Sequence, residues 1–185
     1  MRRLYPALIF SVLIVISILA GWWLNELHPN RIGQYLGVPG ILLIIASLTY
    51  SLSKRDLTSP GRSFPLIRLH EMLAGLGGML LLAHGRLHFN ALIPSIALVM
   101  LLILLISGMI VKFTLAGVMS SMKADEEALI SQGFTPLQAW REIHLQALQD
   151  PGVMKWRRIH TPAAAIFLAL SLLHILGIFA LWGWN

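Results

Sequence analysis

Five long apolar runs, separated by short polar segments, are the dominant pattern along the chain. They cover about Leu4–Leu24, Gln34–Leu52, Leu69–His88, Ala91–Leu115 and Ile159–Trp182. A helix needs roughly 20 mostly apolar residues to cross the hydrocarbon core of a bilayer. The pattern therefore predicts an all-α fold, an integral membrane helical bundle of about five transmembrane helices that forms one domain over residues 1–185.

Basic residues lie mainly on one side of this predicted bundle. Of the 185 residues, 57% are hydrophobic and 12% are charged, with a net charge of +6. With a cytoplasmic N-terminus, only Arg31 and Arg86 of the 14 Lys and Arg residues fall outside. The inner ones are Arg2, Arg3, Lys54, Arg55, Arg62, Arg68, Lys112, Lys123, Arg141, Lys155, Arg157 and Arg158. The positive-inside rule then predicts a multi-pass protein of the inner (cytoplasmic) membrane with its C-terminus outside, in the periplasm, and no nucleic-acid partner.

Four histidines inside the third and fifth apolar runs repeat one spacing. His70 and His84 are 14 positions apart, and so are His160 and His174. In a helix this spacing is about 21 Å along the axis and returns to within about 40° of the same face. Because one run lies between them, both helices cross in the same direction, which places His70 level with His160 and His84 level with His174.

Two imidazole pairs at two membrane depths predict two non-covalent b-type haems with bis-histidine ligation. Ionisable residues inside spans are functional candidates by default. Glu71 is the one acidic residue near these depths, so the ligand set suits haem iron better than zinc or a di-iron centre. The chain has no cysteine, which excludes a Cys-ligated iron–sulfur cluster and a covalently attached haem in this chain.

Small and basic residues around the histidines fit a flat, anionic ligand, although each has a simpler explanation. Glycine in a helix costs stability but lets a macrocycle or a second helix approach closely. Arginine at the membrane edge can bind haem propionates, or can merely orient the helix. The further cofactor-binding residues predicted are Arg68, Arg86, Arg158, Gly75 and Gly78.

The other three histidines are interpreted as surface or interfacial residues. His28 and His88 are candidates for proton exchange near the outer haem. His88 follows His84 by four positions and could replace it as a ligand, although the matched spacing would then be lost. His144 belongs to the cytoplasmic connector, about residues 117–156.

The connector contains one predicted amphipathic helix. Thr135 is a suitable N-cap, Pro136 suits the first helical position, and apolar residues then recur at helical spacing. The helix is interpreted either as a connector at the membrane interface or as a partner dock or quinone-pocket wall. Trp140, Glu142 and His144 are the residues to test for the latter role.

The residues of the third and fifth runs resemble a known family. Arg68-Leu69-His70, followed by Ala74, Gly78 and His84-Gly85-Arg86, resembles the haem-binding helix of b-type cytochromes in quinol-oxidising complexes. Arg157-Arg158-Ile159-His160-Thr161-Pro162, followed by His174, is similar to their second ligand helix. The arrangement also resembles ferric-reductase-like and NADPH-oxidase-like membrane domains.

The resemblance implies that the four paired histidines are axial haem ligands and that the chain moves electrons across the bilayer. It implies a membrane subunit of a respiratory, quinone-linked redox complex, with iron–sulfur, flavin or c-type cytochrome partner subunits. The chain would be the electron-transfer subunit of an oxidoreductase, and whether it is itself an enzyme stays open. It shows neither the quinol-site loop motif nor a flavin or nicotinamide domain. Two alternatives stay open: a cofactor-free anchor or assembly scaffold, and a histidine-lined proton or metal transport protein.

Overall fold

The computed structural model describes residues 4–27, 35–53, 63–85 and 91–181, and the elements in these ranges are helices. They are α1 Leu4–Leu27, α2 Gly37–Ser53, α3 Ser63–Gly85, α4 Leu92–Ser131, α5 Pro136–Gln149 and α6 Pro151–Leu181. No strand occurs within the described ranges. The predicted all-α fold is therefore confirmed.

Three of these helices are long and apolar enough to cross a membrane. The stretches are Leu66–Gly85 in α3, Leu92–Val111 in α4 and Pro151–Leu181 in α6. They correspond to the third, fourth and fifth predicted spans. α1 and α2 contain shorter apolar stretches, Leu8–Leu24 and Gly37–Thr49. The chain is thus a helical membrane protein, with three candidate spanning helices among its described residues.

The helix limits differ from the limits of the apolar runs. α4 does not end near Leu115 but continues to Ser131, into the predicted connector. It ends at Gly133, which has a φ of 95°, with amide bonds from Gly133 to the Ile130 carbonyl and from Phe134 to the Leu129 carbonyl. This is a Schellman C-cap, which needs a left-handed residue at that position. Hydropathy marks where a helix leaves the hydrocarbon, whereas caps and turns decide where it stops.

Side-chain caps start the next two helices. The Thr135 amide donates to the Gln138 side chain at 3.0 Å, and the Gln138 amide donates to the Thr135 hydroxyl at 3.3 Å. This reciprocal capping box confirms the predicted start of α5. The Asp150 carboxylate accepts from the amides of Gly152 and Val153 at 2.8 and 3.0 Å. α6 therefore begins eight residues before Ile159, the predicted start of the fifth span.

α5 folds back against the ends of α4 and α6. Its residues Ala139 and Ile143 are buried, whereas Arg141 and Glu142 are exposed on the other face. The apolar side of this amphipathic helix is thus covered by the chain itself. The polar side is the one that faces outward.

Glycines allow α1, α2 and α3 to pack closely. α2 lies antiparallel to α3, and a Cβ atom on Gly77 would lie only 2.8 Å from the carbonyl oxygen of Gly40. A Cβ atom on Gly21 of α1 would overlap the carbonyl group of Ala83. Small residues are what bring helix backbones together in a bilayer, where lipid tails are as apolar as the side chains.

α4 joins this three-helix group to α6. Leu105 and Leu98 of α4 fill the space beside Gly78 and Gly85 of α3, and α4 packs along α6 over its length. A buried apolar core forms where these helices meet. Its members are Ile44, Leu82, Ala97, Leu98, Leu101, Leu105 and Phe167.

Gly77→Ala is expected to destabilise the protein, because the backbone of α2 would have to move away from the new methyl group. Overpacking of this kind costs about 1–3 kcal/mol. Gly75→Ala is the matched control, since no neighbouring atom lies within 4 Å of that Cβ position. Alanine there should keep or raise stability, by up to about 1 kcal/mol. Thermal unfolding in detergent, followed by circular dichroism, compares the two. Equal stability would contradict the close packing of α2 on α3.

Candidate cofactor site at two histidine pairs

The structure brings the imidazole rings of His84 in α3 and His174 in α6 close together. Their ring centroids are 6.5 Å apart and their planes are inclined by 58°. Both side chains are half-buried. These two residues, called the 84/174 pair below, are one of the two predicted ligand pairs.

His70 and His160 form a second pair, called the 70/160 pair below. The two rings are near enough that the charge of one acts on the other, as it does between His84 and His174. Both rings are half-buried. All four histidines therefore meet the partner that the spacing predicts, His70 with His160 and His84 with His174.

Hydrogen bonds from neighbouring helices hold the rings of the 70/160 pair. Nδ1 of His70 lies 2.9 Å from the backbone carbonyl oxygen of Ser47 in α2. A carbonyl oxygen can only accept, so Nδ1 carries the proton and the ring's lone pair is on Nε2. Bonds of this type to a backbone carbonyl orient metal-binding histidines and select their tautomer.

His160 has the same tautomer through a different partner. Its Nδ1 atom lies 2.8 Å from the Ser107 hydroxyl of α4. That hydroxyl also donates to the Leu104 carbonyl at 3.1 Å, which uses its single proton. Both contacts are satisfied together when Nδ1–H of His160 donates to Ser107, which leaves the lone pair of the ring on Nε2. Both members of the pair thus have Nε2 in the form that binds a metal.

The two histidine helices are in slight contact at most. Among the described helices, α3 packs closely with α1, α2 and α4, and α6 with α4 and α5, but α3 with α6 is not such a pair. The imidazoles of each pair nevertheless lie near each other. A flat ligand held edge-on between two helices requires that arrangement, whereas ordinary helix packing brings axes to about 8–10 Å.

The geometry of the 84/174 pair fits one metal atom between two imidazoles. With metal–nitrogen bonds of about 2.0–2.1 Å, two rings on opposite sides of a metal have centroids about 6.3 Å apart. The observed centroid distance is 6.5 Å. Within the described ranges no group of three or more His, Cys, Asp or Glu side chains converges. Each pair therefore offers two nitrogen ligands, the number that a bis-histidine haem needs.

An apolar layer separates the two pairs. Phe167 stands midway between His160 and His174 along α6, on about the same face, and is 3% exposed. Leu82, Leu101 and Leu105 pack with it, and Leu82 is fully buried. Buried apolar side chains of α4 and α6 thus lie between the two pairs.

The other predicted site residues have varied surroundings. Arg68 and Arg158 are exposed. Gly78 faces a leucine of α4, and Gly75 faces open space. Their predicted roles toward a cofactor stay predictions. Arg86, His28 and His88 lie outside the described residues, and so does the side chain of His144.

The sequence interpretation missed four residues that touch the histidines. Two of them could have been found from the sequence. Ser107 is an isolated hydroxyl in an apolar run, and Trp156 precedes His160 by one helix turn. The Trp156 and His160 rings are stacked, with centroids 4.7 Å apart. Gly37 borders His84, and a Cβ there would lie 3.1 Å from the ring. Ser47 acts through its backbone carbonyl, which carries no sequence signal.

No protein-family model matches the chain, and no characterised protein or solved structure matches it either. Its function therefore has to be inferred from its own residues.

Ser107→Ala is expected to weaken haem binding at the 70/160 pair by about 10–100-fold, the usual effect of losing a hydrogen bond to a metal-binding histidine. The measurement is a haem b titration of the purified chain in detergent. Ser95→Ala is the matched control, because its hydroxyl makes a similar bond to the Ala91 carbonyl on the same helix, twelve residues from Ser107 and so about 18 Å along the axis from the 70/160 pair. Equal haem affinities of the two variants would contradict a role of Ser107 in orienting His160.

Proposed function

We propose that the protein is a di-haem b-type cytochrome that carries electrons across a membrane, as the membrane subunit of a quinone-linked redox complex. One b haem binds at the 70/160 pair and the other at the 84/174 pair. The observation that carries the proposal is the 6.5 Å separation of the His84 and His174 rings across two helices that are not closely packed.

A haem at each pair supplies reversible one-electron redox chemistry, and the residues of the chain prepare the two sites. His70 and His160 present Nε2, because Ser47 and Ser107 hold the protons on Nδ1. Gly37 leaves room for the ring of His84. The surrounding apolar helices exclude water, which is one of the means by which a protein sets a haem potential.

The apolar layer between the pairs favours electron transfer over the transport alternative. A proton or metal ion needs polar groups along its whole path, because an unpaired charge in hydrocarbon is costly. Midway between His160 and His174 on α6 stands Phe167, which is buried and packs with Leu101 and Leu105. An electron needs no such lining, so haems held at the two pairs would be able to exchange electrons across this layer.

The separation of α3 and α6 favours a cofactor over the scaffold alternative. A histidine that serves only packing bonds to an adjoining helix at close contact. His84 and His174 instead lie on helices that are not closely packed, with ring centroids 6.5 Å apart.

The full proposed topology has five spans, with α1 and α2 crossing beside the three longer helices. The N-terminus and α5 lie in the cytoplasm and the C-terminus lies in the periplasm, as the positive-inside rule predicts. The exposed face of α5, with Arg141 and Glu142, is then available to a redox partner subunit. Quinone or quinol exchanges electrons with the haem nearer one membrane face.

Purified protein is expected to contain about two b haems per chain. His84→Ala and His160→Ala should each lose one haem, because each removes an axial ligand from a different pair. The measurement is a reduced-minus-oxidised spectrum with a haem-to-protein ratio. His144→Ala is the control, since His144 belongs to α5 and to neither histidine helix.

The proposal would be refuted by well-folded, full-length protein that contains no haem after expression with excess haem precursor. A variant that loses both haems would need a folding check by thermal unfolding. One haem lost per variant, with the other spectrum intact, supports two independent sites.

The proposed orientation is tested by reporter fusions at the C-terminus. If the C-terminus is periplasmic, alkaline phosphatase fused there should be active. Green fluorescent protein fused there should be dark, because it is exported in unfolded form. A fusion at residue 133, in the turn after α4, should show the opposite pattern, because α4 enters the cytoplasm there. The reverse result at both sites would contradict the orientation.

A further inference from the structure

The indole nitrogen of Trp156 is a buried hydrogen-bond donor that is not satisfied. Its Nε1 atom is inaccessible to solvent and has no hydrogen-bond partner among the described residues. Buried polar groups in proteins are almost always paired, so an orphaned donor calls for an explanation. A ligand that binds beside the indole and accepts its hydrogen bond would be such an explanation.

Trp156 stands directly beside the 70/160 pair. It precedes His160 by one turn of α6, and the two rings are stacked at 4.7 Å with an angle of 29° between their planes. It lies on the side of His160 away from His174. A ligand bound to Nε2 of His160 would therefore lie near this indole.

The chemistry of haem b leaves one kind of acceptor for this donor. Around the porphyrin edge are methyl groups, vinyl groups and two carboxylates, and only the carboxylates accept hydrogen bonds strongly. An indole N–H can only donate, and bonds to ionised acceptors are about twice as strong as neutral ones. Arg157 and Arg158, the neighbouring residues in the chain, are exposed and add positive charge to this part of α6.

We propose that Trp156 donates its Nε1–H to a carboxylate of the haem held by His70 and His160. This inference rests on the proposed di-haem function and adds a specific contact to it. The residue then has two roles: its ring orients the His160 imidazole by stacking, and its N–H compensates the charge of one carboxylate.

The test is Trp156→Phe, which keeps an aromatic ring for stacking and removes the N–H. We expect two haems per chain to remain. The midpoint potential of one haem should fall and that of the other should stay unchanged, because an uncompensated carboxylate stabilises ferric iron. Haem affinity at that site should fall about tenfold, as for loss of a bond to a charged group. Trp23→Phe, an exposed tryptophan on α1, is the control.

Titration with haem dimethyl ester, in which both carboxylates are esterified, separates the two roles. Trp156→Phe should lose affinity for haem but not for the ester. Equal losses for both ligands would assign Trp156 to stacking alone and overturn the proposal. The proposal would also be overturned if Trp156→Phe had the same haem affinity and the same midpoint potentials as the unchanged protein. If the unchanged protein binds no haem, both the proposed function and this contact are refuted. If Trp156→Phe binds two haems with unshifted potentials, only the proposed contact is refuted.

Discussion

α3 and α6 carry the four histidines, yet in the described part of the chain these two helices are in slight contact at most. This separation is the constraint on which the candidate site depends, because facing imidazoles can share a ligand only when their helices stay apart. α3 is held by the glycine contacts with α1 and α2, and α6 is held along α4. The contact of α3 with α4, through Gly78 and Leu105, then sets the distance between the two groups.

The membrane environment makes the hydrogen bonds of the histidines important for the structure. Without water in the hydrocarbon, each polar group must find a partner within the protein. His70 bonds to the Ser47 carbonyl and His160 to the Ser107 hydroxyl, so each ring of this pair is fixed by a different neighbouring helix. α2 and α4 therefore act as supports for the ligand helices. Phe167 and its apolar neighbours keep the two pairs as separate sites.

The part of the chain between α4 and α6 forms a compact cap on one end of the bundle. α4 continues to Ser131, and α5 folds back with Ala139 and Ile143 buried against α4 and α6. This cap adjoins the start of α6, where Trp156 stacks on His160. A partner bound to the exposed face of α5 would thus lie near the 70/160 pair and far from the 84/174 pair.

The sequence by itself determined the class of fold, the three longest membrane helices, the start of α5 and the pairing of the four histidines. These follow from local rules: the length of apolar runs, capping residues, and a spacing of 14 positions that returns to one helix face. The end of α4 at Ser131 and the start of α6 at Pro151 could not be predicted from the apolar runs. Hydropathy marks the part of a helix that lies inside the bilayer and not the whole helix. The role of Ser47 was beyond sequence, since it acts through a backbone carbonyl that every residue has. Only the tertiary structure decided that Gly78 packs on Leu105, that Gly37 borders His84 and that α3 and α6 stay apart, because such contacts depend on which helices become neighbours.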